Sequence, residues 1–102
     1  MNDRLVYSKD SGKLTLLGAE LSLPKKEREL LVYLLEHPDV AHTKEALIDA
    51  VWGYDALGQS STLTVHVNRL RKKLESDVRT PEIIECVWGV GYKLHSDKIR
   101  II

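Results

Sequence analysis

Residues 60–74 contain the densest group of side chains that could bind a charged ligand. This stretch has four basic residues and no aspartate or glutamate, so it carries a formal charge of +4 in a chain whose net charge is zero. The basic residues are Arg69, Arg71, Lys72 and Lys73. Guanidinium and ammonium groups neutralise phosphates, and the neighbouring asparagine and threonine side chains can hydrogen-bond base edges in a major groove. The chemistry that this stretch favours is therefore nucleic-acid binding.

The spacing of the apolar residues predicts that this stretch is a helix from about residue 60 to residue 75. Intervals of four, three and four residues place these residues on one buried face; they are Leu63, Val67, Leu70 and Leu74. At about 100° per residue, the opposite face presents Ser61, Thr62, Thr64, Val65, Asn68, Arg69, Arg71 and Lys72. His66 and Lys73 lie nearer the buried face. A basic run late in a helix also complements the helix dipole, so charge alone leaves a merely solvated face as the alternative.

Short extended segments occupy residues 4–23 and predict a small antiparallel meander of three strands. The segments are Leu5–Tyr7, Lys13–Leu16 and Glu20–Leu23, with turn residues between them. After Pro24 the apolar residues change to helical spacing, which predicts a first helix over residues 25–36. We therefore expect a small sheet followed directly by a helix.

A second helix is predicted over residues 44–52, before the basic helix. Thr43 is a suitable N-cap for it, and Gly53 is a suitable residue to end it. The second and third helices, separated by a loop, predict a helix-turn-helix within a three-helix core over residues 25–75.

A hairpin over residues 83–94 completes the predicted architecture. Strands at 83–87 and 92–94 flank a turn in which Gly89 and Gly91 are expected to have positive φ. A hairpin after a helix-turn-helix is the wing of a winged helix, so we predict an α+β fold of the winged helix-turn-helix type.

The composition excludes several classes of function. The length of 102 residues predicts one domain over residues 1–102, and 43% hydrophobic with 29% charged residues is typical of a globular protein. The single cysteine, Cys86, cannot form an intrachain disulfide; we expect it to be inert, and cytoplasmic location fits. The chain has no apolar run of membrane-spanning length. Metal-ligand spacing and nucleophile motifs are missing as well, so we expect no membrane, metal, cofactor or catalytic residue.

Four segments resemble the OmpR/PhoB-type winged-helix domain, the DNA-binding effector of bacterial two-component response regulators. Residues 62–74 resemble its recognition helix, and residues 87–92 resemble its wing. Leu23–Leu31 is similar to the start of its first helix, and Ala50–Gly53 to the end of its second. The resemblance covers about Leu5 to Leu94 and implies an isolated effector domain. It implies sequence-specific binding of double-stranded DNA for transcription regulation.

The resemblance also implies roles for individual residues. Thr62 and Arg69 occupy positions that contact bases in the major groove. Positions that contact the sugar-phosphate backbone are occupied by Trp52, His66, Asn68, Arg71 and Tyr92. The charge argument adds Lys72 and Lys73, and Trp88 on the predicted wing turn is expected to contact a partner. The loop over residues 54–59, with Tyr54, Asp55 and Leu57, occupies a region that can meet RNA polymerase. Family members bind as pairs on direct-repeat half-sites.

Departures from the family pattern keep a second hypothesis open. Ser61 stands where the family usually has arginine, Thr64 where it has aspartate, and Trp88 where arginine often enters the minor groove. Each change removes a charged contact. The alternative is a winged-helix protein-interaction module, for example for RNA polymerase, that has lost specific DNA binding.

Several placements also stay open. Trp52, His66 and Tyr92 could belong to the core rather than to a DNA interface. The family sheet normally has four strands, whereas three are legible here, so truncation of the first family strand is one of the open alternatives. The tail over residues 95–102 is expected either to be disordered or to add to a sheet edge.

Overall fold

The computed structural model describes residues 4–53 and 60–102. These residues have the α+β winged helix-turn-helix fold that the sequence predicts. The elements are β1 (Leu5–Tyr7), β2 (Leu14–Leu16), β3 (Ala19–Glu20), α1 (Lys25–Glu36), β4 (His42–Thr43), α2 (Lys44–Trp52), α3 (Ser60–Leu74), β5 (Ile84–Val87), β6 (Gly91–Leu94), a 3₁₀ helix (Ser96–Lys98) and β7 (Ile99–Ile101).

The first two helices have the predicted bounds. α1 follows Pro24, whose carbonyl accepts a hydrogen bond from the Arg28 amide at 2.9 Å. α2 begins after Thr43, whose hydroxyl oxygen accepts from the Ala46 amide at 3.1 Å as an N-cap should. It ends at Gly53, where φ is 96° and a glycine is favoured.

The core forms where α1 and α2 pack against α3. The predicted apolar face of α3 is fully buried, at Leu63, Val67, Leu70 and Leu74. It meets the buried faces of the other two helices, which include Leu30, Leu31, Leu34, Leu47 and Ile48. Because this contact fixes the rotation of α3 about its axis, it decides which side chains of α3 face solvent.

The N-terminal strands form the predicted antiparallel meander, with one correction. The third strand is Ala19–Glu20, not residues 20–23. The reason is the turn at Leu17 and Gly18, with φ of 51° and 86°. This turn reverses the chain within two residues and places Ala19 opposite Leu16.

The C-terminal tail adds a strand to the edge of this sheet. Strand order is β3-β2-β1-β7, and β7 runs parallel to β1 with Leu5 opposite Ile99. Near the start of the tail, the amide and hydroxyl of Ser96 donate to the Asp39 carboxylate at 3.1 and 2.5 Å. These hydrogen bonds, the hydroxyl foremost, hold the pKa of Asp39 below its ordinary value. Of the two expectations for the tail, the ordered one is confirmed, and the fourth strand comes from the C-terminal side.

The wing is part of a second sheet, with strand order β4-β6-β5. β5 and β6 form the predicted hairpin, and Gly89 has the expected positive φ of 77°. The expectation for Gly91 is wrong, because its φ is not positive. Gly91 instead pairs with Thr43 of β4, and a Cβ there would lie 2.0 Å from the carbonyl oxygen of His42. Close backbone approach, rather than turn conformation, requires glycine at this position.

Substitution of Gly91 by alanine should therefore destabilise the fold. We expect G91A to lower the free energy of unfolding by at least about 2 kcal/mol, because β4 and β6 must separate to admit the methyl group. Urea unfolding measures the loss. The matched control is G89N, which has open space around its Cβ and should cost less than about 1 kcal/mol because asparagine tolerates positive φ. Equal stability of G91A and the wild type would contradict this account.

Candidate nucleic-acid interface

The outward face of α3 is polar and exposed, as the helical periodicity predicts. The exposed side chains are Ser61, Thr64, Val65, Asn68, Arg69 and Lys72, and those that are partly buried are Thr62, His66 and Arg71. Val65, 44% exposed, is the apolar residue at the centre of this surface. Hydroxyl, amide and guanidinium groups beside one apolar side chain form a surface suited to the edges of base pairs.

Arg69 and Lys72 are the cations of α3 that remain available for a ligand. Both are exposed, and neither has an ion-pair or hydrogen-bond partner among residues 4–53 and 60–102. An exposed, unpaired cation is fully hydrated and can exchange that hydration for phosphate or base acceptors. The two predicted contacts at Arg69 and Lys72 are therefore sterically and electrostatically open.

Lys73 is exposed, as expected, with a side chain 38% accessible to solvent, but it is engaged in an ion pair within the protein. Its Nζ lies 2.7 Å from Oε1 of Glu27 on α1, and Glu27 is only 2% exposed. A buried carboxylate needs a partner to offset its lost hydration. The ion pair joins α3 to α1, so Lys73 contributes to the fold as well as to the charge of the surface.

Arg71 is also engaged within the protein. Its Nε and Nη2 donate to the carbonyl oxygen of Ile84 at 3.1 and 3.0 Å, and its guanidinium lies 5.6 Å from the centre of the Tyr92 ring. Tyr92 is 5% exposed. This burial favours the core alternative for Tyr92 over the backbone contact that the family resemblance implies. Arg71 thus links α3 to β5 before it contacts any ligand.

Trp52 and His66 form a pair at the junction of α2 and α3. Their rings meet edge to face, with centroids 4.9 Å apart and an interplanar angle of 75°. His66 Nδ1 lies 2.8 Å from the Thr62 carbonyl oxygen, and a carbonyl only accepts, so Nδ1 carries the proton. Both rings are partly buried. The pair therefore has features of both the core and the interface alternatives, because packing orients the two rings while part of each stays at the surface.

Trp88 projects from the wing turn and is 94% exposed, as its place in a glycine turn predicts. A cleft of about 350 Å³ separates the wing from the start of α2, lined by residues that include Lys44, Glu45 and Cys86. Cys86 is an exposed free thiol on β5. A large indole left in water on a turn is a surface suited to contact with a partner.

Glu75 was not expected to have a special role. It follows α3 and is 7% exposed, and its carboxylate accepts from the backbone amides of Glu82, Ile83 and Ile84. Its partners lie seven to nine residues further along the chain, beyond the reach of helical periodicity. No pattern in the sequence distinguishes this glutamate from an exposed one.

Other expectations concern absences or residues outside the described ranges. Tyr54, Asp55 and Leu57, predicted to contact RNA polymerase, lie outside residues 4–53 and 60–102. Within those ranges there is no group of three or more histidine, cysteine, aspartate or glutamate residues placed to hold a metal ion. In the same part of the chain, no helix has the length and hydropathy needed to cross a membrane.

The sequence of the chain is similar to those of known transcriptional regulatory proteins. A family model described as "Transcriptional regulatory protein, C terminal" matches residues 18–94. Sensory transduction protein RegX3 of Mycobacterium leprae is 47% identical over 79 residues, which cover 78% of this chain and 40% of RegX3. Transcriptional regulatory protein YvrH of Bacillus subtilis is 35% identical over 91 residues, which cover 89% and 38%. The chain thus spans less than half the length of these relatives.

Solved structures match over most of the chain. The RstA DNA-binding domain of Klebsiella pneumoniae, crystallised in complex with the RstA box, has a TM-score of 0.79 and 26% identity, covering 93% of this chain and 94% of that one. Response regulator DrrB, an OmpR/PhoB homologue from Thermotoga maritima, has a TM-score of 0.75 and 31% identity, covering 84% and 39%.

The contrast between Lys72 and Lys73 leads to a stability prediction. K73M should lower the free energy of unfolding by about 1–3 kcal/mol, because it leaves the buried Glu27 carboxylate without its donor. K72M should change it by less than about 0.5 kcal/mol, because Lys72 is exposed and unpaired. Urea unfolding at neutral pH compares the two adjacent substitutions. Equal losses would show that the ion pair with Glu27 contributes nothing.

Proposed function

This chain belongs to the OmpR/PhoB-type family of transcriptional regulatory protein C-terminal domains, and we propose that it regulates transcription by binding double-stranded DNA with α3 in the major groove. The family consists of transcription regulators rather than enzymes. The observation that carries the proposal is the outward face of α3, where Arg69 and Lys72 stand exposed and unpaired within the described residues. A helix of this shape and charge fits the major groove of B-form DNA.

The side chains of this face divide into base readers and phosphate binders. Arg69 is suited to bidentate recognition of guanine, and Thr62 to a single hydrogen bond with a base edge. Val65 offers an apolar contact for a thymine methyl group. Lys72 and Asn68 are suited to phosphates, which fix the position of the helix without reading sequence.

The wing and the α2–α3 junction extend the proposed interface. Trp88 has no charge with which to occupy a narrow minor groove, so its indole would pack on sugars and the backbone. Trp52 and His66 would meet the backbone at the other end of α3. Support for this arrangement is the exposure of Trp88 and the fixed orientation of His66 by its bond to the Thr62 carbonyl.

Further partners follow from the small number of available cations. A lone domain with two unpaired cations on α3 should bind modestly, and a second copy on an adjacent half-site would raise the effective concentration of each. The proposal thus includes self-pairing on tandem sites. It also includes contact of Tyr54, Asp55 and Leu57 with RNA polymerase, and action in the cytoplasm as the effector domain of a two-component response regulator.

One observation favours the alternative of a protein-interaction module. Arg71 and Lys73, half of the basic residues of α3, are bonded to Ile84 and Glu27 within the protein. The surface charge is therefore smaller than the composition of α3 suggests. If phosphate affinity is too weak for specific binding, the same outward face would serve a protein partner.

Selection of bound sequences from a random pool of duplex DNA tests the proposed function. We expect enrichment of a motif that occurs twice about one helical turn (about 10 base pairs) apart. Repeated recovery of the motif would establish both base reading and tandem binding. Failure to enrich any sequence at low salt, where phosphate contacts are strongest, would reject sequence-specific DNA binding and favour the interaction module.

Arg69 is the residue whose removal should change base preference. R69A should weaken binding to the selected duplex by about 1–3 kcal/mol and relax the preference at one base pair. R100A is the matched control, because Arg100 is exposed on β7 rather than on α3, and it should retain the wild-type preference. Binding isotherms on the selected duplex and its single-base variants provide the measurement. An unchanged preference in R69A would refute a base-reading role.

A further inference from the structure

Arg71 and Glu75 hold the start of the wing strand from two sides. Arg71 donates two hydrogen bonds to the carbonyl oxygen of Ile84, and Oε2 of Glu75 accepts from the amide of the same residue at 2.8 Å. The two side chains lie one helical turn apart, and the Glu75 amide bonds to the Arg71 carbonyl at 2.9 Å. We term Arg71 and Glu75 together the wing clamp.

Each oxygen of the Glu75 carboxylate accepts two hydrogen bonds from backbone amides. Oε1 accepts from the amides of Glu82 and Ile83 at 2.8 and 3.0 Å, and Oε2 accepts from Ile83 and Ile84 at 3.1 and 2.8 Å. Bonds from amides to a charged acceptor are stronger than neutral ones. Because the group is 7% exposed, water cannot easily replace these bonds, and their geometry is enforced.

The wing clamp holds the end of the hairpin that lies furthest from Trp88. Ile84 begins β5, and Trp88 follows four residues later at the turn. At about 3.3 Å per residue the tip lies about 13 Å from the clamp, so a tilt of about 10° at Ile84 would move Trp88 by about 2 Å. That displacement is enough to break a contact with a DNA backbone.

Hydrogen bonds add directional restraints to the apolar packing at the base of the wing. Ile83, Ile84 and Leu94 are fully buried there, and hydrophobic contact is itself non-directional. β4 ties β6 to the start of α2. Between α3 with its following residue and the wing strand, the hydrogen bonds in the described part of the chain are those of Arg71 and Glu75.

We propose that Arg71 and Glu75 are positioning residues that fix the wing relative to α3, so that Trp88 and the base-reading side chains reach one duplex together. The inference rests on the proposed function, because the wing contact is measured through DNA binding. It gives Arg71 a role that differs from the phosphate contact implied by family resemblance.

A double-mutant cycle between Glu75 and Trp88 tests the proposal. E75Q keeps the side-chain length but replaces one acceptor oxygen with an NH₂ group that faces amide donors. In the wild type, W88A should weaken binding to the selected duplex about fivefold to tenfold. In the E75Q background the same substitution should cost less than about twofold, because a displaced wing no longer places the indole on DNA.

The matched control removes a different buried carboxylate. E27Q breaks the ion pair between α1 and α3 and should lower the melting temperature as E75Q does. It does not touch the wing, so W88A should retain its full penalty there. R71K is a second variant that disrupts the wing clamp, because lysine keeps the positive charge but lacks the planar pair of donors. If E75Q does not fold, the effect of W88A is measured in the R71K background instead.

Each outcome has one meaning. An undiminished W88A penalty in folded E75Q, or in R71K where E75Q does not fold, overturns the positioning role while DNA binding stands. No W88A penalty in the wild type also overturns it, since the wing then makes no contact to be positioned. Absence of DNA binding by the wild type rejects the proposed function together with this inference. A penalty lost in the clamp variants and kept in E27Q supports the proposal.

Discussion

The buried apolar face of α3 is the contact on which the rest of the structure depends. Leu63, Val67, Leu70 and Leu74 are fully buried against α1 and α2, and each buried leucine or valine contributes about 1.5–3 kcal/mol. This contact fixes the rotation of α3 about its axis, because a rotation by one residue position would bring Arg71 into the core. The surface proposed to face DNA is thus the complement of the core face, and both are specified by the same periodicity.

The basic run at the end of α3 serves two purposes at once. Arg71 and Lys73 bond to acceptors within the protein, whereas Arg69 and Lys72 are exposed without such a partner among the described residues. The position of each residue relative to the buried face decides its role. Lys73 lies near that face and meets Glu27 of α1, while Lys72, one residue earlier, points to solvent. A formal charge of +4 on the helix is therefore not a measure of the charge that a ligand meets.

Sequence reasoning succeeded where structure follows from local periodicity and failed where it follows from distant pairing. The helix bounds, the Thr43 cap and the buried face of α3 depend on residues that lie only a few positions apart in the sequence. By contrast, β7 pairs with β1 across nearly the whole chain, and β4 has only two residues. Glycine is required at position 91 because a carbonyl group of β4 lies against it. Glu75 is buried where it accepts hydrogen bonds from amides that come later in the chain. Such partners become visible only when the fold brings them together.

Rigid placement compensates for a small number of charged contacts. An interface with few cations gains little from long-range attraction, so its affinity depends on making the remaining contacts without loss of conformational entropy. The Lys73–Glu27 pair, the Trp52–His66 pair and the wing clamp each restrict an element of the proposed interface in the absence of DNA. The indole of Trp88 then adds apolar area at the end of a fixed hairpin, where an arginine would have added charge on a flexible side chain. Arg71 and Lys73 bond within the protein, which lowers the charge available to a ligand. The rigidity that these bonds provide reduces the entropy lost on binding, so each remaining contact contributes more to affinity.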